Sequence, residues 1–550
     1  MALVTLPQLP VAGPTAPARW RPTAGRVAVG FALLGLGYRL AMLLAEVPPS
    51  NSDEAVTGLV AAHVAQGRAF PLFFYGQYYM GALESYLAAP LFALLGSSTF
   101  LLRLPNLLLY AVFLTLMWRL TRRLYTPWLA SVTVGLLALG SERILKNQLI
   151  AAGGYPEMNP AGALLVLLAV NLGLGLVRRP GPAYAGFGLV AGLTLWDDWL
   201  VLPYVAVAGG LLLVVRRRDL AGRPGFALGA GLLVGLVPIL VHNLTAAPEH
   251  RSLAVYAALG EGAPAAWWDR LGGAFLIGLP MGTGVCDPGR CLPWQRWWGV
   301  VCPLLLVVAA VLAWRGLRRA GRRTDRVRQG GRLALLAGAA LTLSLYAGSS
   351  AAAHTPVESS RYLSCLLIST PALLWPLWSA LTRPGGAGRA SAPTRRLLRR
   401  AAGVPLAALA GSMALASTTL IGAAPGLSRH AEQRRDLVGT LDRLGVSHFY
   451  ADYWTCNTVI FLTRERIVCG VIRDDLDTGW DRYPAYPAQV ARADRPAFVL
   501  PVGSALSTAV RDRLRDGRVP HAGLTVAGYD IYLPETRVDL PIARPPVPAG

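Results

Sequence analysis

Two adjacent acids, Asp53 and Glu54, follow the first long apolar stretch of this 550-residue chain. Carboxylates just beyond an apolar span are costly unless they are solvated, capped or used. One of them could serve as a general base, taking a proton from an acceptor hydroxyl. Both also suit the first turn of a helix, where acids meet the positive end of the dipole. A third acid, Glu157, stands in Gly153-Gly154-Tyr155-Pro156-Glu157-Met158-Asn159-Pro160, again beside an apolar stretch and again readable as a cap. Shortly before it lie Glu142, Arg143, Lys146 and Asn147. A phosphate would recruit Arg143 and Lys146 through charge-assisted hydrogen bonds; a salt bridge with Glu142 accounts for the same residues. Tyr78, Tyr79 and then Glu84 set aromatic rings near another acid, as an interfacial belt or as the lining of a sugar or lipid site. His354, Glu358, Arg361 and Tyr362 crowd the end of a late apolar stretch, where Arg361 can pair with Glu358 or hold an anionic head group. Trp196-Asp197-Asp198-Trp199 reads as a solvated turn, or as two carboxylates for a cation.

The elements that position these residues are membrane helices. The chain is 54% hydrophobic and 15% charged, whereas a soluble chain carries about a quarter charged residues. Apolar stretches of spanning length fall near 25–47, 100–118, 126–144, 160–177, 183–196, 198–215, 225–244, 298–314, 332–350, 362–381 and 402–422, about eleven in all. Arginines gather in alternate connections: Arg119 to Arg123, Arg178 and Arg179, Arg216 to Arg218, Arg315 to Arg332, and Arg383 to Arg400. The positive-inside rule makes that side cytoplasmic, together with Arg19, Arg21 and Arg26. An odd number of spans then places the C-terminal part outside. The Pro-rich, basic start predicts a cytoplasmic tail over 1–24 and a retained first span rather than a cleaved leader.

The outer loop 48–99 predicts an interfacial amphipathic helix from Asp53 to Gln66, with Ser52 as N-cap, and a second apolar helix from Leu83 to Leu95. After 422 the apolar stretches stop and charge rises. Helices over 434–444 and 504–515, with strands over 448–453, 466–471, 497–501 and 525–533, predict a small extracytoplasmic α/β domain over 423–550 with a loose Pro-rich end. The fold class expected is thus mainly α: a polytopic helical domain over 25–422 and a small C-terminal α/β domain.

Net charge of +22 suggests nucleic acid first, but the arginines sit between apolar spans, where cytoplasmic loops place them. No Walker loop, HExxH or GxSxG signature is present. Of the six cysteines, Cys302 and Cys365 read as packing. Cys286 with Cys291 and Cys456 with Cys469 suit disulfides in an oxidising compartment better than a zinc site. Abundant glycines within the spans read as helix-packing residues.

A first span followed by Asp53-Glu54 resembles the GT-C superfamily of polyprenyl-phosphate-sugar-dependent glycosyltransferases, in the branch of the protein O-mannosyltransferases and aminoarabinose transferases. Further similarities follow in order: Gly81 to Leu87 and Leu102-Arg103-Leu104-Pro105, Pro156-Glu157-Met158, Arg361-Tyr362-Leu363, and Tyr450 to Trp454. The chain departs from that group at Tyr79-Met80-Gly81, where Lys-Pro-Pro is common. It departs again at Trp196-Asp197-Asp198, where Thr-Lys is common, and in having Glu157 for the commoner Asp. The resemblance implies a polyprenyl-phosphate sugar donor, a glycan, lipid or protein acceptor, surrounding membrane lipid and no nucleic acid. It implies Asp53 as the base, with Glu54 and Glu157 in the catalytic set and Arg361, Lys146 and Arg143 at the donor phosphate. Tyr78, Tyr79, Glu84, Tyr155, His354, Glu358 and Tyr362 would line the substrate. No cofactor is required, and the clustered acids leave a divalent cation open. A transporter or lipid flippase is the alternative; it calls for charges within spans and inverted repeats. A non-catalytic scaffold would reduce Asp53 and Glu157 to two helix caps.

Overall fold

Residues 23–259, 264–382, 392–538 and 540 are described by a computed structural model. The N-terminal tail with Arg19 and Arg21, the stretch 383–391 of the last basic cluster and the Pro-rich end from 541 lie outside them. Helix α1 (Ala24–Leu44) starts where Thr23 accepts the Arg26 amide. It is followed by α2 (Ser52–Ala65), α3 (Leu83–Leu95), α4 (Thr99–Leu124), α5 (Pro127–Ala138), α6 (Glu142–Leu149), α7 (Tyr155–Gly173) and α8 (Pro180–Asp197). Among the described residues eight helices are long and apolar enough to cross a membrane, or nine if the bent pair of α5 and α6 counts as one. The protein is therefore a multi-pass membrane protein, with fewer qualifying spans than the eleven expected. The difference lies in α7 and α8. Most of α7 is buried among protein neighbours, so its first turn tolerates Glu157 and Asn159. Helix α8 pairs with Arg223–Thr245 through close glycines: a Cβ on Gly188 would lie 2.0 Å from the Leu228 carbonyl, and one on Gly231 2.0 Å from that of Ala185. Small residues let the two backbones touch, as membrane helix pairs require.

The 93° break between α5 and α6 frees backbone carbonyls where no water reaches them, a costly condition in a bilayer. Arg39, fully buried on α1, answers it. Its guanidinium donates to the carbonyls of Ala138 (2.9 Å), Leu139 (3.2 Å) and Leu137 (3.4 Å), and its Nε to Gln148 (2.8 Å). The cation also lies 3.8 Å from the centre of the Tyr110 ring.

The long helix Ala392–Arg443 runs unbroken through the expected boundary at 422 into the C-terminal domain. That domain holds a five-stranded sheet in the order β2-β1-β3-β5-β4. The strands are β1 (His448–Ala451), β2 (Val468–Val471), β3 (Ala497–Pro501), β4 (His521–Val526) and β5 (Tyr529–Pro534). Strand β1 pairs in parallel with β2 and β3, and β5 is antiparallel to β3 and β4. The single strand expected over 525–533 is a hairpin: Ala527 and Gly528 both take positive φ, the backbone of a tight two-residue turn. Strand β1 stops at Ala451 because Asp452 caps a helix, Tyr453–Leu462, by accepting the amides of Trp454 and Thr455.

The sheet domain shares its hydrophobic core with the loop 48–99. Ala55, Leu59 and Ala61 of α2 and Phe92 of α3 are buried in one cluster with Phe449, Ile460, Phe461 and Phe498. Phe461 packs so closely that a Cβ on Gly58 would lie 2.4 Å from its ring. Helix α2 is therefore enclosed by protein rather than laid on a membrane surface. Its N-cap is Asn51, whose side chain accepts the Glu54 amide, while Ser52 donates to the Tyr453 carbonyl at 2.6 Å. Cys286–Cys291 and Cys456–Cys469 are disulfides, and Cys302 and Cys365 are free and buried.

Candidate functional site

Adjacent in sequence, Asp53 and Glu54 point into different surroundings. Glu54 is fully buried and forms a two-pronged pair with Arg103 of α4, at 2.7 Å and 2.6 Å. A third Arg103 nitrogen donates to the Pro48 carbonyl at 2.9 Å. Planar guanidinium against carboxylate is the strongest form of such pairing, and it ties α2 to α4. Asp53, 30% exposed, instead faces the C-terminal domain. Its Oδ1 accepts from Arg482 at 2.7 Å and from the Tyr453 hydroxyl at 2.5 Å. Oδ2 has no hydrogen-bond partner among the described residues. Arg482 also donates to Tyr453 and stacks against Trp480 (4.2 Å) and Phe74 (4.5 Å). Tyr453 stands in the Tyr450 to Trp454 motif, but nothing in the sequence joins it or Arg482 to Asp53, because each lies 400 or more residues away and only the shared core brings them there.

The other acids converge from three elements. Glu84 opens α3, Glu157 sits in the first turn of α7, and Asp197 ends α8 with Asp198 just beyond. All four are buried. Gly153 and Gly154 make this convergence fit: both have positive φ, and a Cβ on Gly154 would lie 2.7 Å from that of Asp198. Glu84 accepts the Gly153 amide at 2.7 Å, and Asp198 accepts that of Leu200 at 2.8 Å. Four further oxygens, Glu84 Oε1, Asp197 Oδ1 and both carboxylate oxygens of Glu157, have no hydrogen-bond partner among the described residues. Burial, then the neighbouring Asp197, push the Glu84 carboxyl up to about 8. Burial pushes Asp198 up to about 7. The Trp-Asp-Asp-Trp stretch is thus no solvated turn, because Gly81 packs its amide on the Asp197 carbonyl (2.8 Å) and closes it off. Among the described residues, no group of three or more His, Cys, Asp or Glu has an arrangement that would hold a metal ion.

Arg361 lies over the rings of Tyr362 (5.3 Å) and Tyr155 (5.7 Å). Its charge is felt by Asp198 and by Arg143. Arg143 is buried and donates to the Val357 carbonyl at 2.9 Å. Lys146 takes the plainer of its two readings, a 2.7 Å bridge to Glu142 one turn back. Tyr79 lies within electrostatic reach of Tyr362, Arg482, Asp198 and Arg361. Burial pushes its phenol up to about 12. Its ring also meets Tyr256 at 5.9 Å. Tyr78 is turned away, stacked on His242 at 5.0 Å and near His250 at 5.3 Å. His354 and Glu358 are exposed on short helices before Arg361.

No family model and no curated protein sequence matches the chain. Solved structures do. ArnT from Cupriavidus metallidurans bound to undecaprenyl phosphate superposes with a TM-score of 0.60 at 14% identity, covering 93% of this chain and 98% of that one. The same enzyme in the apo state superposes with a TM-score of 0.57 at 14% identity, covering 92% and 98%. Over nearly its whole length, the chain has the GT-C fold.

Proposed function

We propose that the protein is a membrane glycosyltransferase that moves a sugar from a polyprenyl phosphate to an acceptor at the outer face of the membrane. The observation that carries this reading is Tyr79 within electrostatic reach of both Arg482, which holds Asp53, and Arg361, in a fold shared with ArnT bound to undecaprenyl phosphate. In this reading Oδ2 of Asp53 takes the proton of the acceptor hydroxyl as its oxygen attacks the anomeric carbon. The bond from that carbon to the phosphate oxygen breaks, its electron pair leaves with the lipid phosphate, and the carbon inverts. Arg361, with Arg143 behind it, stabilises the charge growing on that phosphate. Arg482 and Tyr453 orient Asp53, and Glu54 positions it from the next residue through Arg103. The unserved oxygens of Glu157, Glu84 and Asp197 accept hydroxyls of the transferred sugar. The N-terminus and the arginine clusters are cytoplasmic and the sheet domain lies outside. This arrangement needs no nucleotide sugar and no resident metal.

Radiolabel transfer from a panel of polyprenyl-phosphate sugars by purified protein, beside Asp53→Asn, tests the reading. Transfer by the parent protein and a loss of about 10²- to 10⁴-fold in Asp53→Asn is expected. Full transfer by Asp53→Asn would remove the base. Lipid movement without sugar transfer would favour a flippase.

A further inference from the structure

Arg103 lines a cavity of about 450 Å³ to which Glu84, Glu157, Asp197 and Arg361 contribute nothing. It lies where the end of α1 and the start of α4 meet the long helix Ala392–Arg443 and the helix Tyr453–Leu462. Its volume is that of an ordinary small-ligand site. Its charges do not cancel. Arg103 is balanced by Glu54, and Arg435 by Glu46 at 2.7 Å. Arg434 reaches only a carbonyl, that of Ser50 at 3.2 Å. The Arg464 guanidinium makes no hydrogen bond or ion pair among the described residues. It lies over Gly96, 3.5 Å from where a Cβ would stand, and that glycine has φ +82. Two guanidinium groups with no ion pair among the described residues therefore share one cavity, with the Ser97 and Thr99 hydroxyls on its wall.

The rest of the cavity is apolar. Leu44, Phe100 and Leu462 line it and remain exposed to 66%, 38% and 39%. Next to it on α3, Leu94 and Leu95 are exposed to 81% and 69%. Exposed leucines at the ends of two helices beside a membrane belong against acyl chains. Forked guanidinium groups beside them match a phosphate oxygen pair. A ligand that satisfies both is an anion carrying apolar tails.

We propose that this cavity binds the phosphate of an anionic membrane phospholipid between Arg434 and Arg464, with its acyl chains on Leu44 and Phe100. The bound lipid joins α1, α4 and the sheet domain at the membrane surface, apart from the carboxylates and Arg361.

The full chain in detergent, titrated with phosphatidylglycerol, phosphatidylcholine, a polyprenyl phosphate or inorganic phosphate and read by native mass spectrometry, tests this. Phosphatidylglycerol should be retained over phosphatidylcholine, and millimolar inorganic phosphate should not displace it. Each lost arginine should weaken retention on the order of fivefold. Arg464→Gln alone should do so without moving the thermal midpoint, since that side chain has no partner to lose, and Arg434→Gln/Arg464→Gln should abolish the preference. Equal retention of the two phospholipids would overturn the proposal, as would unchanged retention in Arg464→Gln. Displacement by inorganic phosphate, or Arg464-dependent retention of polyprenyl phosphate in place of phosphatidylglycerol, would overturn the assignment to a phospholipid.

Discussion

Asp53 and Glu54 at the start of α2, and Glu84, Glu157 and Asp197 from α3, α7 and α8, are all acids, yet their partners differ completely. Glu54 has a guanidinium across both oxygens, and Asp53 has a guanidinium and a phenol on one. Glu157 has no hydrogen-bond partner on either oxygen among the described residues. A buried charge with a well-matched partner holds structure, and removing one member of the pair leaves the other stranded. A buried acid with no partner weakens the fold, and such strain collects where ligands bind. In the proposed reading the paired side positions and the unpaired side binds.

Breaking a pair should cost the most. Arg103→Met strands Glu54 and should lower stability by about 3–5 kcal/mol, read as a fall in the thermal midpoint. Glu54→Gln/Arg103→Met should recover part of that loss, and no recovery would mean that Arg103 acts by packing alone. On the unpaired side the signs separate: Glu157→Gln should lower transfer by about 10²-fold while the thermal midpoint holds or rises. A fall in stability there would show that Glu157 has a structural partner and would dissolve the contrast. Arg482→Gln frees Asp53 to turn and should cut kcat by about tenfold with little change in KM. Arg482→Lys should restore only part of it, because an ammonium cannot reach Asp53 and Tyr453 with the same fork.

The smallest effect is in pH, and it has opposite signs in the two regions. Folded Glu84, at about 8, keeps a proton that an unfolded glutamate releases near ~4.3. The folded chain then binds more protons than the unfolded one, and stability falls as pH rises through roughly 5 to 8. Glu465 lies among the paired groups that clamp α2 to the sheet domain. Burial works against its charge, but hydrogen bonds from His63, Tyr486 and Arg68 prevail and hold its carboxyl down at about 2. Its contribution is present above the unfolded value and is lost as pH falls toward 2. Thermal midpoints measured against pH should flatten by about one to a few degrees on the alkaline side in Glu84→Gln and on the acid side in Glu465→Gln. Both variants flattening the same limb would contradict the contrast.

The sequence by itself determined what depends on local composition and period. Long apolar stretches imply membrane helices wherever they fold, and the strands β1, β2 and β3 follow from short, mostly apolar segments. The α/β character of the C-terminal part, the two disulfides and the glycine-lined helix contact were legible for the same reason. So were Asp53 and Glu157 as acids beside apolar stretches. Their partners were not, because pairing is decided by approach between distant segments: Asp53 meets Tyr453 and Arg482, and Glu157 meets Glu84 and Asp197. Asp197 and Asp198 looked solvated because nothing near them in sequence shows that Gly81 and Gly154 pack against them. Helix α2 looked interfacial because its apolar face could meet lipid or protein equally well. Only the tertiary structure decided for protein, by laying Phe461 over Gly58 and joining loop and sheet domain in one core.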